Sequence, residues 1–295
     1  MQEKALQRKT LRELTFKDDF MFGAVMSEED ICKGVLEIIL GLPIKQVTVS
    51  KEKSFIYNPE YKGVRLDVLA QDEKNTHYNV EMQVVKKAAL EKRNRYYHSQ
   101  IDMDLLVSGA EYSELPEVYV IFICDFDPFG LEKYCYSFEN TCEEQNSLVL
   151  KDGSKSIFLS TAGKNLEEVR TELVRFLKFV KNGALESDTD DVFEKKLQNS
   201  IDKIKANRDM EERYMKFEDM LKEERAEAFR NGKKDGETYG LLAVLNSKGA
   251  VPEQLRQQIE VENDLATLDL YFDLALKVNS IDEFVQKMSE VPSGT

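Results

Sequence analysis

Two short runs, Val64–Gln71 (VRLDVLAQ) and Thr76–Val84 (THYNVEMQV), are separated only by Asp72-Glu73-Lys74-Asn75. Turn residues between two strand-like runs predict a tight antiparallel hairpin. That hairpin constrains the chain more than any other segment, because strand alternation then decides which side chains share a face. Arg65, Asp67 and Leu69 fall on one side, and Glu81 and Gln83 share one side of the returning strand. A turn centred near Lys74 sets Asp67 almost opposite Glu81. Two carboxylates so placed repel and titrate upward unless positive charge lies between them. Two readings stay open at this point. A divalent cation supplies the charge, as Mg²⁺ does when held by one or two carboxylates with water and phosphate oxygens. Alternatively the pair is structural and bridged by Arg65 or a nearby lysine.

The flanking segments predict the rest of the layer. Residues 15–42 read as largely helical, with Phe20, Val25, Ile31, Val35, Ile38 and Ile39 forming an apolar stripe that Gly41 and Pro43 end. Gln46–Tyr57 reads as a strand, Lys87–Ser108 as a helix, and Glu117–Asp125 (EVYVIFICD) as a strand buried on both faces. Further strands are expected near Lys133–Asn140 and Ser156–Ser160, and a helix over Leu166–Val180. The order predicts an α/β or α+β sheet flanked by helices. The expected domains are residues 1–182 and a helical C-terminal region, 183–295. In the latter, Asp191–Arg230 reads as a long exposed helix or helix pair, and Leu255–Met288 as helical and acidic. Gly232, Gly236 and Gly240, four apart, fit either a close helix–helix approach or a flexible joint.

Charge narrows the function classes. The net charge is −14, which excludes an even basic coat of the histone kind, yet residues 51–100 carry +3 and residues 101–150 carry −10. The most basic stretch is Lys86, Lys87, Lys92, Arg93 and Arg95. It is either a phosphate-binding surface, where Lys and Arg replace released counterions, or a solvated helix face. Arg93 and Tyr97 are i,i+4 and Gln100 follows at i+7, so one helix face can present all three to the hairpin. Tyr96 fits core packing. No apolar stretch approaches the roughly 20 residues needed to span a bilayer, and MQEKALQRKTLREL does not read as a secretion signal. The four cysteines form no CxxC and read as free thiols of a reducing, cytoplasmic compartment.

Several blocks in order, FKDDFMFGAVM, GVLEIILGLPI, VRLDVLAQDEKNTHYNVEMQV, EKRNRYYHSQ and SGAEYSELPEVYVIFICDFDPF, with GKKDG beyond them, resemble the Rpn family of recombination-promoting nucleases and transposases. That family lies within the PD-(D/E)XK nuclease superfamily. The resemblance covers most of the chain. It implies a restriction-endonuclease-like mixed central sheet flanked by helices, followed by an all-helical region. It also implies metal-dependent cleavage of DNA, with recombination or mobile elements as the setting and a homodimer as the assembly. Asp67 and Glu81 match the positions that hold Mg²⁺ (or Mn²⁺). Gln83 stands at the third motif position, usually Lys. Gln orients water or phosphate but carries no charge and cannot act as a base. Leu66 precedes the Asp where the motif has Pro. Glu37 matches an acidic helix position that some members use as an added ligand. Arg93, Arg95, Lys86 and Lys87, with Tyr97, are the expected DNA-phosphate contacts. The missing lysine and the net charge keep a second expectation beside this one: a catalytically weakened, nuclease-derived protein that binds DNA, regulates or oligomerises.

Overall fold

The computed structural model describes residues 9–50, 54–55, 64–185 and 190–288. The hairpin forms as predicted. Strands β4 (Val68–Asp72) and β5 (His77–Gln83) pair antiparallel, with Val68 opposite Val80 and Leu69 opposite Asn79. Asp72 closes the turn by accepting from the backbone N–H groups of Lys74 and Thr76, which is Asx-type turn chemistry. The sheet has six strands in the order β1-β4-β5-β6-β8-β7, where β1 is Val47–Ser50, β6 Val118–Cys124, β7 Cys135–Phe138 and β8 Ser154–Ser160. Strands β5, β6 and β8 are mutually parallel; β1, β4 and β7 run antiparallel to their neighbours. A separate two-stranded pair joins β2 (Ser54–Phe55) to β3 (Val64–Arg65). The expected strand Val64–Gln71 is therefore broken at Leu66–Asp67, between two pairings. Of the expected strand Gln46–Tyr57, residues 51–53 and 56–57 lie outside the described residues.

Both faces of the central strands are buried, as a parallel core requires. Val80, Met82, Ile121, Ile123 and Leu159 point one way; Leu69, Val120, Phe122 and Phe158 point the other. The second set joins Leu90, Tyr97 and Ile101 of α3 (Leu90–Leu105) in one apolar cluster. The helix expected over residues 15–42 is two: α1 (Asp19–Met26) and α2 (Glu29–Leu40), interrupted at Ser27–Glu28. Helix α3 starts three residues later than Lys87 because Ala89 lies in the left-handed region, φ 61°. A Cβ there is strained where glycine is not. Ala89→Gly is therefore expected to stabilise the protein by about 1 kcal/mol, read as a higher urea midpoint with an unchanged slope.

The remaining helices are α4 (Thr171–Asn182), α5 (Val192–Ala206), α6 (Arg208–Asn246), α7 (Glu253–Val261), α8 (Leu265–Lys277) and α9 (Ile281–Met288). The chain forms two compact units, Met1–Tyr214 and Met215–Thr295, where the sequence suggests a division at Gly183. Helix α5 packs on α1 and α2 within the first unit. The second unit has its own core, built on Leu241, Leu245, Ile259, Leu268 and Phe284. The three glycines sit inside the continuous α6. Only Gly240 makes a close approach: a Cβ there would stand 3.2 Å from the Phe272 ring, whereas Gly232 and Gly236 face open space. Among the described residues no helix is long and apolar enough to cross a membrane. All four cysteines are unpaired, and burial pushes the Cys32 and Cys124 thiols up to about 12.

Candidate active site

Strand β5 carries four consecutive polar side chains on its α3-facing side: His77, Asn79, Glu81 and Gln83, all buried. An apolar residue at each of those positions would complete the cluster under α3, so the polar stripe is the departure that marks the site. The β4–β5 register continues to place Asp67 opposite Glu81. The two carboxylates bind each other's strand reciprocally. Asp67 N–H donates to Glu81 Oε1 at 3.1 Å, and Met82 N–H donates to Asp67 Oδ2 at 3.0 Å. Glu81 is 2% exposed, whereas Asp67 is open to solvent although protein crowds its carboxyl. Among the described residues Asp67 Oδ1 accepts no hydrogen bond.

Both carboxyls are held above the ordinary range. Burial is the main cause for each. For Glu81 the Asp67 charge comes next. For Asp67 the Met82 N–H pulls back down, Asp19 pushes up, and Arg93 and Arg65 pull down. Two guanidinium groups therefore do not neutralise the pair. Asp19, the first residue of α1, is the functional candidate that sequence reading missed. It lies 48 residues from Asp67 in the chain, and no local pattern links them.

Helix α3 brings two expected residues to the pair. Tyr97 is buried, and its hydroxyl is raised by burial first and by the Glu81 charge next. The Arg93 guanidinium stands 5.3 Å from the Phe122 ring centre and 5.6 Å from that of Tyr97. Its Nε and Nη2 are buried with no hydrogen-bond partner. Arg93 is thus packed on aromatic faces and aimed by charge at Asp67 and Glu81, rather than spread on a solvated helix face. Gln100, expected on the same face, is buried one turn further on and contacts Met103. Gln83 is buried at the end of β5, and its carbonyl accepts from Asp125 N–H. Asn79, fully buried, leans toward Glu81 without a well-formed hydrogen bond of its own.

Other expected residues lie elsewhere. Glu37 accepts from the Ile44 N–H at 2.9 Å and pairs with Lys33, which fixes the exit of α2; it is not among the charges acting on the pair. Lys86 and Lys87 are exposed in the loop after Gln83, with Lys86 Nζ near the Asp127 carbonyl. Arg95 is exposed on α3.

The donor set bears on which cation fits. Among the described residues there is no group of three or more His, Cys, Asp and Glu side chains able to hold a metal. Two oxygen ligands, one open to solvent, suit a hard cation that keeps most of its water and takes further oxygens from a phosphate. They do not suit zinc, which takes three or four protein ligands, often nitrogen or sulfur. No curated protein and no solved structure matches the chain. The family model described as PD-(D/E)XK nuclease family transposase matches residues 14–230, from just before α1 through the sheet and into α6. Its span takes in the β4–β5 hairpin, the polar face of β5 and α3 together, and the chain belongs to that family.

Proposed function

We propose that this protein hydrolyses DNA phosphodiester bonds with the help of Mg²⁺, held by Asp67 and Glu81. The observation that supports this best is the excess of negative charge at the pair. Two carboxylates face each other, Glu81 buried and Asp67 open to solvent, a third on α1 acts on Asp67 by charge, and both carboxyls stay above their ordinary range with Arg93 acting on each and Arg65 on Asp67. Such a site costs folding free energy unless a cation relieves it. When bound, Mg²⁺ makes water a better nucleophile and stabilises charge on the phosphate.

The chain's own residues would do the remainder. Gln83, on the same face two residues beyond Glu81, orients through its amide: the carbonyl accepts from a water and the NH₂ donates to a phosphate oxygen. It cannot take a proton. Arg93 holds the carboxylates by charge and keeps unused N–H groups. Tyr97, on α3, stands beside Glu81, close enough for that charge to raise its hydroxyl. Exposed Lys86 and Lys87, in the loop that follows Gln83, are placed to meet the flanking phosphates.

The direct test is the purified chain on supercoiled and linear DNA, with Mg²⁺, Mn²⁺ or EDTA. Nicked circles are expected with either cation and none with EDTA. Intact DNA under all three conditions, on both substrates, would overturn the proposal. A salt series checks the lysines: Lys86→Ala with Lys87→Ala should weaken DNA binding and lower the slope of log affinity against log salt by about 2. An unchanged slope removes them from the interface.

A further inference from the structure

A cavity of about 420 Å³ opens between α3 and the β7–β8 hairpin, outside the carboxylate pair. Three phenylalanines form its apolar wall, and Glu91, Arg95 and Glu139 stand among its polar lining. Phe129 lies 5.2 Å, ring centre to ring centre, from both Phe138 and Phe158. Phe138 is 47% exposed at the open edge. Three polar side chains converge inside. Asn94 Nδ2 donates to Ser156 Oγ at 2.7 Å, and His98 Nε2 stands 3.1 Å from the same oxygen. Burial pushes the His98 imidazole down to about 4, so at neutral pH the ring is uncharged and carries one N–H. Its Nδ1 is buried with no partner. A buried N–H left without an acceptor is rarer and costlier than an unused lone pair. The proton therefore belongs on Nε2, donated to Ser156. The Ser156 hydroxyl, met by both side chains, lines the cavity.

Apolar rings beside placed polar groups, in a volume of this size, are the pattern of a small-ligand site, and one exposed ring, Phe138, offers a face to a planar ligand. The position says which. Tyr97, Phe122 and Phe158 stack in a row at 6.0 and 5.2 Å, running from the site beneath α3 to the cavity wall. Strand β8 lies two strand spacings from β5, roughly 10 Å. That row is buried under α3, so a strand held at the pair reaches the cavity by passing around the helix. Arg95 is exposed at the rim, where a backbone phosphate would pass.

We propose that this cavity receives an unstacked nucleobase of the strand held at the Asp67–Glu81 pair, stacked on Phe138 and hydrogen-bonded by Ser156. The inference rests on the DNA-cleaving reading above and adds a substrate feature to it: the strand is bound with a base out of the helical stack, which favours single-stranded or distorted DNA.

The test is binding by the full chain with Ca²⁺ in place of Mg²⁺, so that the carboxylate pair carries a cation; a gel of the same samples verifies that the strand stays whole. The chain has no tryptophan, so 2-aminopurine fluorescence is read without tryptophan background. A short oligo(dA) carrying 2-aminopurine should change its emission saturably. A sugar-phosphate strand of equal length without bases should bind about tenfold or more weakly. Phe138→Ala should erase that difference and Phe138→Tyr should keep it. Ser156→Ala should weaken oligo(dA) while leaving the baseless strand unchanged. Equal binding of the two strands, or a Phe138→Ala protein that behaves as wild type, overturns the proposal. So does deoxyadenosine monophosphate competing as well as the oligonucleotide, because the cavity is then a free-nucleotide site. Plasmid nicking separates the two levels. Nicking without base-dependent binding rejects the cavity alone, whereas no nicking with any cation removes the reading beneath it.

Discussion

Asp67→Asn is expected to lower Mg²⁺-dependent nicking by about a thousandfold or more while the protein stays folded. Loss of a ligand oxygen on a cation that supplies several kcal/mol of transition-state stabilisation corresponds to a factor of that size, at about 1.4 kcal/mol per tenfold. The fold should survive because Asn is the same size and its carbonyl can still accept from the Met82 N–H. Asp67 is also open to solvent, so removal of its charge leaves no void. The measurement is single-turnover nicking of supercoiled DNA, beside circular dichroism of the same preparation. A folded Asp67→Asn protein that nicks at the wild-type rate would show that the carboxylate pair is structural. Asp19→Asn adds a graded control. Its charge acts on Asp67 from the start of α1, so a smaller loss is expected, together with a higher Mg²⁺ concentration for half-maximal nicking.

Alternation along two strands made the hairpin legible, because a face is decided by parity and the turn residues fix the register. Asp67 opposite Glu81 follows from that alone. The same parity put Gln83 beside Glu81, and helical spacing put Tyr97 one turn beyond Arg93. What the sequence could not carry is long-range packing. Asp19 approaches Asp67 only because α1 is folded against the sheet. Arg93 has the composition of a DNA contact, yet its guanidinium packs against Phe122 and Tyr97, residues that local spacing cannot bring together. Glu37 is the opposite case. A carboxylate in an apolar helical stretch looks functional, but a local N–H at Ile44 and a lysine one turn back satisfy it. The interruptions at Ser27–Glu28 and at Ala89 lack a proline or glycine to announce them, so periodicity ran through the first and started α3 early at the second.

Glu81→Gln should produce the opposite signs in two measurements: loss of cleavage and gain of stability in the metal-free protein. Glu81 is almost fully buried, and its carboxyl is raised by burial first and by the Asp67 charge second. A group whose folded pKa exceeds its unfolded value binds its proton more tightly when folded. The metal-free protein is then most stable below the ordinary Glu range. It loses stability as pH rises from that range toward the raised folded value, because the charge has to be carried inside the fold. Gln imitates the protonated form at every pH and can still accept from the Asp67 N–H. In EDTA at pH 8 the variant is therefore expected to be more stable than wild type by on the order of 1–3 kcal/mol, a difference that vanishes near pH 4. Addition of Mg²⁺ should raise the wild-type melting temperature at pH 8 and leave that of Glu81→Gln nearly unchanged, since only the ionised pair gains from the cation. Thermal melts across pH, with and without Mg²⁺, read all of this without any DNA present. A Glu81→Gln protein less stable than wild type at pH 8 would mean that a basic neighbour already compensates the buried charge. The pair would then have no deficit for a metal to fill.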